Sequence, residues 1–195
     1  MIDNPWFALA AWLLSYLADY YLTLYSAQLY RARAQSHFTF EGSLELTPYY
    51  QADIDRLRRV SPRFILAVAT SVLALELVWW LSMVVARAPG LFEVLLGGLV
   101  LREAAVILRH ARNIALFRAA RAGQGLEGQV HYARWLALRL SAVDLLSVAA
   151  LCGLLALATG SWFLFGGAFA CAVTGLQHWR RSALTARPSA DKPSN

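Results

Sequence analysis

The sequence predicts an all-α, polytopic membrane protein with five transmembrane helices, its N-terminus outside and its C-terminus inside, and a short cytoplasmic amphipathic helix in the first loop. Three observations carry this. Hydrophobic residues make up 58% of the 195 and charged residues 15%, more apolar surface than one soluble core of this length buries. The apolar residues fall into five runs, and about 20 helical residues cross the ~30 Å hydrocarbon layer with every backbone group satisfied internally. Arginine crowds into alternate connections: Arg31, Arg33, Arg56, Arg58, Arg59 and Arg63 follow the first run, Arg109, Arg112, Arg118, Arg121, Arg134 and Arg139 follow the third, and Arg180, Arg181 and Arg187 follow the last. The opposite side holds Arg87 alone, so the positive-inside rule fixes the orientation and makes the number of crossings odd. The expected location is the inner (plasma) membrane, multi-pass, with lipid as the main partner and anionic headgroups near the arginines.

The first span covers about 5–27, and its basic residues follow rather than precede it, the reverse of a secretory leader, so it is expected to be retained. The second covers about 62–86 and opens on Ser61-Pro62, an N-cap followed by proline at the first helical position. After the turn Ala88-Pro89-Gly90, the third covers about 89–110; it reaches spanning length only by including Arg102 and Glu103. The fourth, about 140–158, and the fifth, about 162–178, are joined by Thr159-Gly160-Ser161 and form an antiparallel hairpin. Residues 1–184 read as a single membrane domain and 185–195 as a disordered tail containing Pro and Ser. Trp6, Trp79, Trp80, Trp135, Trp162 and Trp179 fall near span ends, where amphipathic rings prefer the headgroup zone.

The connections have their own patterning. His37 to Leu46 alternates polar and apolar around Glu41-Gly42, which predicts a short extended or hairpin element. Thr47-Pro48 starts a helix running to Val60, with Tyr50, Ile54 and Leu57 on one side, expected to lie along the membrane surface. The third span is expected to continue as a polar helix through Arg121.

Several chemistries are disfavoured. Gly123, Gly125 and Gly128 match GxGxxG, but the match follows a helix and joins two spans, without the strand-to-helix turn that gives the fingerprint its mechanical meaning. The arginines flank membrane segments rather than a folded basic domain, so no nucleic-acid partner is expected. Cys152 and Cys171 lie inside spans without a CxxC pair and read as packing residues; Gly167, Cys171 and Gly175 form a small-residue stripe facing Ala149, Gly153 and Ala156. His37, His110, His131 and His178 lack a metal-binding spacing on any one helix and are expected at the interface, so no metal or cofactor is expected.

The polar residues within the spans carry the functional expectation. Glu76 lies 13 residues in from Arg63 and Arg102 lies 10 in from Arg112, so depth matching predicts an ion pair between Glu76 and Arg102. Asp19 and Asp144, with Ser15, Tyr20, Thr23 and Ser141, approach the level of Arg109 and His110. Glu76, Arg102, Glu103, Asp19, Asp144 and Arg109 are therefore expected around one cavity open to the cytoplasm, as a path for a small ion or solute requires. Interhelical pairing that merely fixes packing is the competing reading of the same residues. The alternative functions are a non-catalytic subunit, using its small-residue faces to bind another membrane protein or a second copy, and an enzyme acting on lipid headgroups.

Asp19-x-x-x-Thr23 in the first span, followed by Glu45-Leu46-Thr47-Pro48, resembles an uncharacterised group of small prokaryotic membrane proteins bearing Asp-x-x-x-Thr and Glu-x-Asn-Pro, with Thr47 in place of the Asn. The resemblance implies a multi-span membrane protein and no particular activity.

Overall fold

The structure, a computed structural model, describes residues 4–32, 34–42, 46–123 and 128–186. Most of the GxGxxG match, Glu45 of the second motif and the tail from residue 187 lie outside the described residues. Those described form six α-helices and two three-residue strands.

Helix α1, Pro5–Ala32, begins where the Asn4 side chain accepts the Trp6 N–H (3.0 Å). Helix α2 is Pro48–Asp55, and α3 is Pro62–Trp80, with Ser61 accepting the Phe64 N–H (3.3 Å) as the sequence suggests. A π-helical turn, Leu81–Val85, then loosens the chain before Pro89 opens α4, Pro89–Ala122. At ~1.5 Å per residue the 34 residues of α4 reach about 50 Å, longer than the ~30 Å of a hydrocarbon layer. Gly123, left-handed at φ 66°, ends α4. Helix α5, Arg134–Thr159, turns through Gly160 (φ 68°) into α6, Trp162–Thr185, which Ser161 caps.

Pro5–Ala32, Pro62–Val85 and Arg134–Thr159 are long and apolar enough to cross a membrane. The chain is thus a helical protein with three such segments; α4 carries Arg102 and Glu103 in its path, and α6 runs into Gln177, His178 and Arg180.

Helices α1 and α4 run the same way, since Ala8, Leu9 and Trp12 meet Phe92 and Leu96 at one end while Leu29 meets Phe117 at the other. Helix α6 packs along both α4 and α5, which touch each other little. Backbones explain the closeness of α4 and α6: a Cβ added at Gly97 would sit 1.9 Å from the Phe163 carbonyl oxygen, and one at Gly166 would sit 1.9 Å from that of Val94. The predicted small stripe is split between two neighbours, Gly167 facing Leu101 of α4 and Gly175 facing Leu146 of α5. Helix α3 leans on α1 and on the start of α4 and leaves most of its apolar surface exposed.

At the arginine-rich end the expected extended element is strand β1, Phe38–Phe40, and its partner is distant: it pairs in parallel with β2, Val130–Tyr132, from the connection after α4. Phe38, Phe40 and Tyr132 then cover Tyr30 and Phe117, so the two connections share a core that neither could bury alone. Helix α2 stops at Asp55 rather than Val60, where Leu57 adopts a left-handed φ of 51°. Its apolar face is not left for the bilayer: Ile54 and Tyr50 pack on Tyr20, Leu24 and Phe64. Asp53, on its other side, is buried and accepts the Ser61 hydroxyl (2.6 Å), tying α2 to the start of α3.

Candidate functional site

Parallel packing brings one face of α1 against one face of α4. Positions 16, 19, 20 and 23 share a face at helical spacing, as do 102, 103, 106, 109 and 110, so Tyr16, Asp19, Tyr20 and Thr23 confront Arg102, Glu103, Val106, Arg109 and His110. Thr174 and His178, four apart on α6, close a third side, and Thr47, Tyr50 and Ile54 roof it. These groups line a chamber of about 170 Å³.

Its charges are mostly partnered. Glu103 is 3% exposed and accepts from the guanidinium of Arg102, its own neighbour. The long arginine side chain folds back over the carboxylate, so the deepest ion pair lies within one helix. Arg109 donates to Ser141 Oγ, which also lies 2.9 Å from His178 Nδ1. The serine hydroxyl, with one proton and two lone pairs, can hold both groups at once and so ties α4 to α6 through α5. The Tyr16 and Tyr50 hydroxyls are 2.6 Å apart, and Tyr20 donates to the Arg58 carbonyl (2.8 Å). Burial pushes the Tyr50 phenol above its usual range, so it stays a neutral donor at physiological pH.

Asp19 is the exception. Thr23 Oγ1 donates to the Asp19 backbone carbonyl (2.8 Å) and therefore accepts from His110 Nε2 (2.9 Å), which fixes a proton on that nitrogen. The same Nε2 lies 3.1 Å from Asp19 Oδ1 but is directed at Thr23, and the enclosed Oδ1 has no hydrogen-bond donor among the described residues. A buried acceptor lacking a donor is costly and rare, and it sits where two helices and a histidine hold it in place.

Beyond Arg102 and Glu103, away from the arginine-rich end, the chamber stops at a block of Trp12, Phe92, Leu96, Leu9 and Leu75. A second cavity, of about 180 Å³, lies toward the strands and shares Thr23, Leu46, Arg109 and His110 as a common wall with the first.

Of the six residues expected around one cavity, the structure brings Asp19, Arg102, Glu103 and Arg109 together. Asp144 lies outside both cavities and holds Arg112 through two contacts (2.9 and 3.2 Å). Glu76 does not meet Arg102 and makes no hydrogen bond or ion pair among the described residues. Arg63 and Arg112, the reference points for depth, stand at different levels of the bundle. Phe64, beside Arg63, stacks on Tyr20 (4.1 Å), while Arg112 lies past the meeting of His110 with Thr23. Leu75, beside Glu76, accordingly packs with Phe92 and Leu96, roughly two turns from Arg102.

The histidines also differ from expectation: His110 is buried and His178 half-buried in the chamber, whereas His131 is exposed on β2. A signal for His178 was present, since it continues the inward phase of Gly167, Cys171 and Gly175. Tyr16 and Tyr50 carried no comparable signal, because their contact depends on how α2 seats. Among the described residues, no three His, Cys, Asp or Glu side chains gather as a metal site would need, and both cysteines are free and buried. Comparison with family models, with curated proteins and with solved structures finds no match to this chain.

Proposed function

We propose that the chain crosses the cell's inner membrane five times, N-terminus out and C-terminus in, and that the chamber is the inner half of a path for a small ion or solute. Two observations support α4 and α6 as the further spans. Arg102, Glu103 and Arg109 of α4 face the chamber, with Glu103 buried, and α6 is held to α4 by backbone contact at Gly97 and Gly166. With α1, α4 and α6 parallel, the arginines gather at one end, which the positive-inside rule makes cytoplasmic.

The observation that carries the path is Asp19 Oδ1, an enclosed acceptor without a donor among the described residues, beside a histidine that donates to Thr23. A cation, a migrating proton or a solute N–H supplies what that oxygen lacks, and intramembrane carboxylates of this kind mark ion and substrate paths. The apolar block of Trp12, Phe92 and Leu96 closes the outer half, so passage requires it to part. Purified protein in liposomes, challenged in turn with proton, sodium and potassium gradients, is expected to dissipate at least one of them faster than empty vesicles. Leak equal to that of empty vesicles for all three, and for small ammonium and carboxylate solutes, rejects the path.

A second reading rests on Glu76, a half-buried carboxylate on a largely exposed helix, without an ion pair among the described residues. A partner membrane helix carrying Lys or Arg at that depth would supply one. Co-purification of such a partner, lost in Glu76→Gln, supports that reading; a lone monodisperse species from native membrane counts against it.

A further inference from the structure

The second cavity adjoins the Asp19 chamber across the wall of Thr23, Leu46, Arg109 and His110 but does not include Asp19. It forms where β1 and β2 meet the C-terminal half of α4 and the first turns of α5, and Arg109, Arg112 and Arg134 reach its wall. Glu41 is the carboxylate among them. It accepts the backbone N–H of Arg134 (3.0 Å), capping α5 from a residue far away in sequence, so its charge is already engaged at a helix N-terminus. Arg112 is gripped from outside the cavity by Asp144. The Arg134 side chain passes over Gly42, where an added Cβ would lie 3.2 Å from its guanidinium, and it makes no hydrogen bond or ion pair among the described residues.

Charge and shape together specify an occupant. Arg109, Arg112 and Arg134 bring three guanidiniums to one wall, and the side chain of Arg134 has no hydrogen bond or ion pair among the described residues, which suits an anionic oxygen group such as a phosphodiester. The remaining wall is apolar, with Phe38, Phe40 and Phe117 on one side and Leu116 and Leu140 on the other. Leu116 and Leu140 are 38% and 42% exposed, so they form the rim where the cavity opens between α4 and α5, the two helices that barely touch. At about 180 Å³ the space holds on the order of ten waters, too large for a lone phosphate and suited to a phosphate with its substituent.

We propose that this cavity binds the phosphate of an anionic amphiphile, the phosphate among Arg109, Arg112 and Arg134 and the hydrocarbon leaving past Leu116 and Leu140. Arginine suits the task because its fork of N–H donors matches phosphate oxygens in pairs. Residue 140 is also where the fourth predicted span begins, which places the rim at headgroup depth.

The test uses the full chain in mild detergent, titrated by native mass spectrometry with dioctanoyl phosphatidylglycerol, dioctanoyl phosphatidylcholine and inorganic phosphate. One phosphatidylglycerol is expected to bind per chain, about tenfold more tightly than phosphatidylcholine; Arg134→Gln is expected to weaken it about tenfold and Arg134→Lys to restore part of the loss. Leu116→Gln, at an exposed position, should weaken the lipid as well. Equal binding of the two lipids, or Arg134→Gln binding phosphatidylglycerol like the native chain, overturns the proposal. Inorganic phosphate binding as tightly as phosphatidylglycerol overturns the amphiphile and assigns the site to free phosphate.

Discussion

The two ends of the α1–α4 interface are built from the same pair of helices and filled in opposite ways. At one end Trp12, Phe92 and Leu96 close on each other without a cavity; at the other, one to four turns further along, Asp19, Glu103, Arg102 and His110 stand around open space. Helical periodicity aims both sets inward, so the difference lies in residue type alone. Apolar rings fill their volume and end the path. Charged groups must each find a partner, and the deepest pair, Arg102 with Glu103, lies along one helix rather than across the gap, so open space remains beside it.

Substitutions that blur this contrast are expected to differ widely in effect. Gly166→Leu should be the most damaging, because the Val94 backbone already occupies the place of its Cβ and helices α4 and α6 would have to separate. A loss of more than about 4 kcal/mol is expected, read as failure to obtain a monodisperse species. Arg102→Gln should follow at about 3 kcal/mol, since it leaves the Glu103 carboxylate buried without its cation; the double variant Arg102→Gln with Glu103→Gln should recover most of the loss in thermal unfolding. Phe92→Ala, at a fully buried position, should cost about 2 kcal/mol, less than in a water-driven core because lipid competes for the apolar surface, while raising leak through the opened block. Ser61→Ala removes both a cap and the donor to Asp53 and should lower stability by about 1 kcal/mol without changing leak.

The contrast was partly legible beforehand. Span length singled out Arg102 and Glu103, which the structure turns toward the chamber, and the cap expected at Ser61 falls where its hydroxyl accepts the Phe64 N–H. Asp19 and Arg109 could be placed near one another because each lies a fixed number of residues from a helix end. What the sequence could not convey was relative height. Helix α4 outruns the start of α3, so counting inward from Arg63 and from Arg112 compared unlike levels and paired Glu76 with the wrong partner. Nor could local pattern reveal that Phe38–Phe40 would pair with Val130–Tyr132, a contact between two connections separated by two helices of a bundle. The Asp19 to Thr23 spacing, which resembled a motif, has a physical content in this fold: Thr23 turns its hydroxyl back to the Asp19 backbone and accepts the histidine N–H, which leaves Asp19 Oδ1 without a donor among the described residues.

The most direct test of the chamber as a path sets Asp19→Asn beside Phe92→Ala in one liposome assay, following collapse of the gradient that the native chain dissipates. The account predicts opposite outcomes: Asp19→Asn folds to the same monodisperse species and loses the flux about tenfold or more, whereas Phe92→Ala raises it. Native flux in Asp19→Asn would contradict the central claim and leave the polar groups of the chamber as packing elements only.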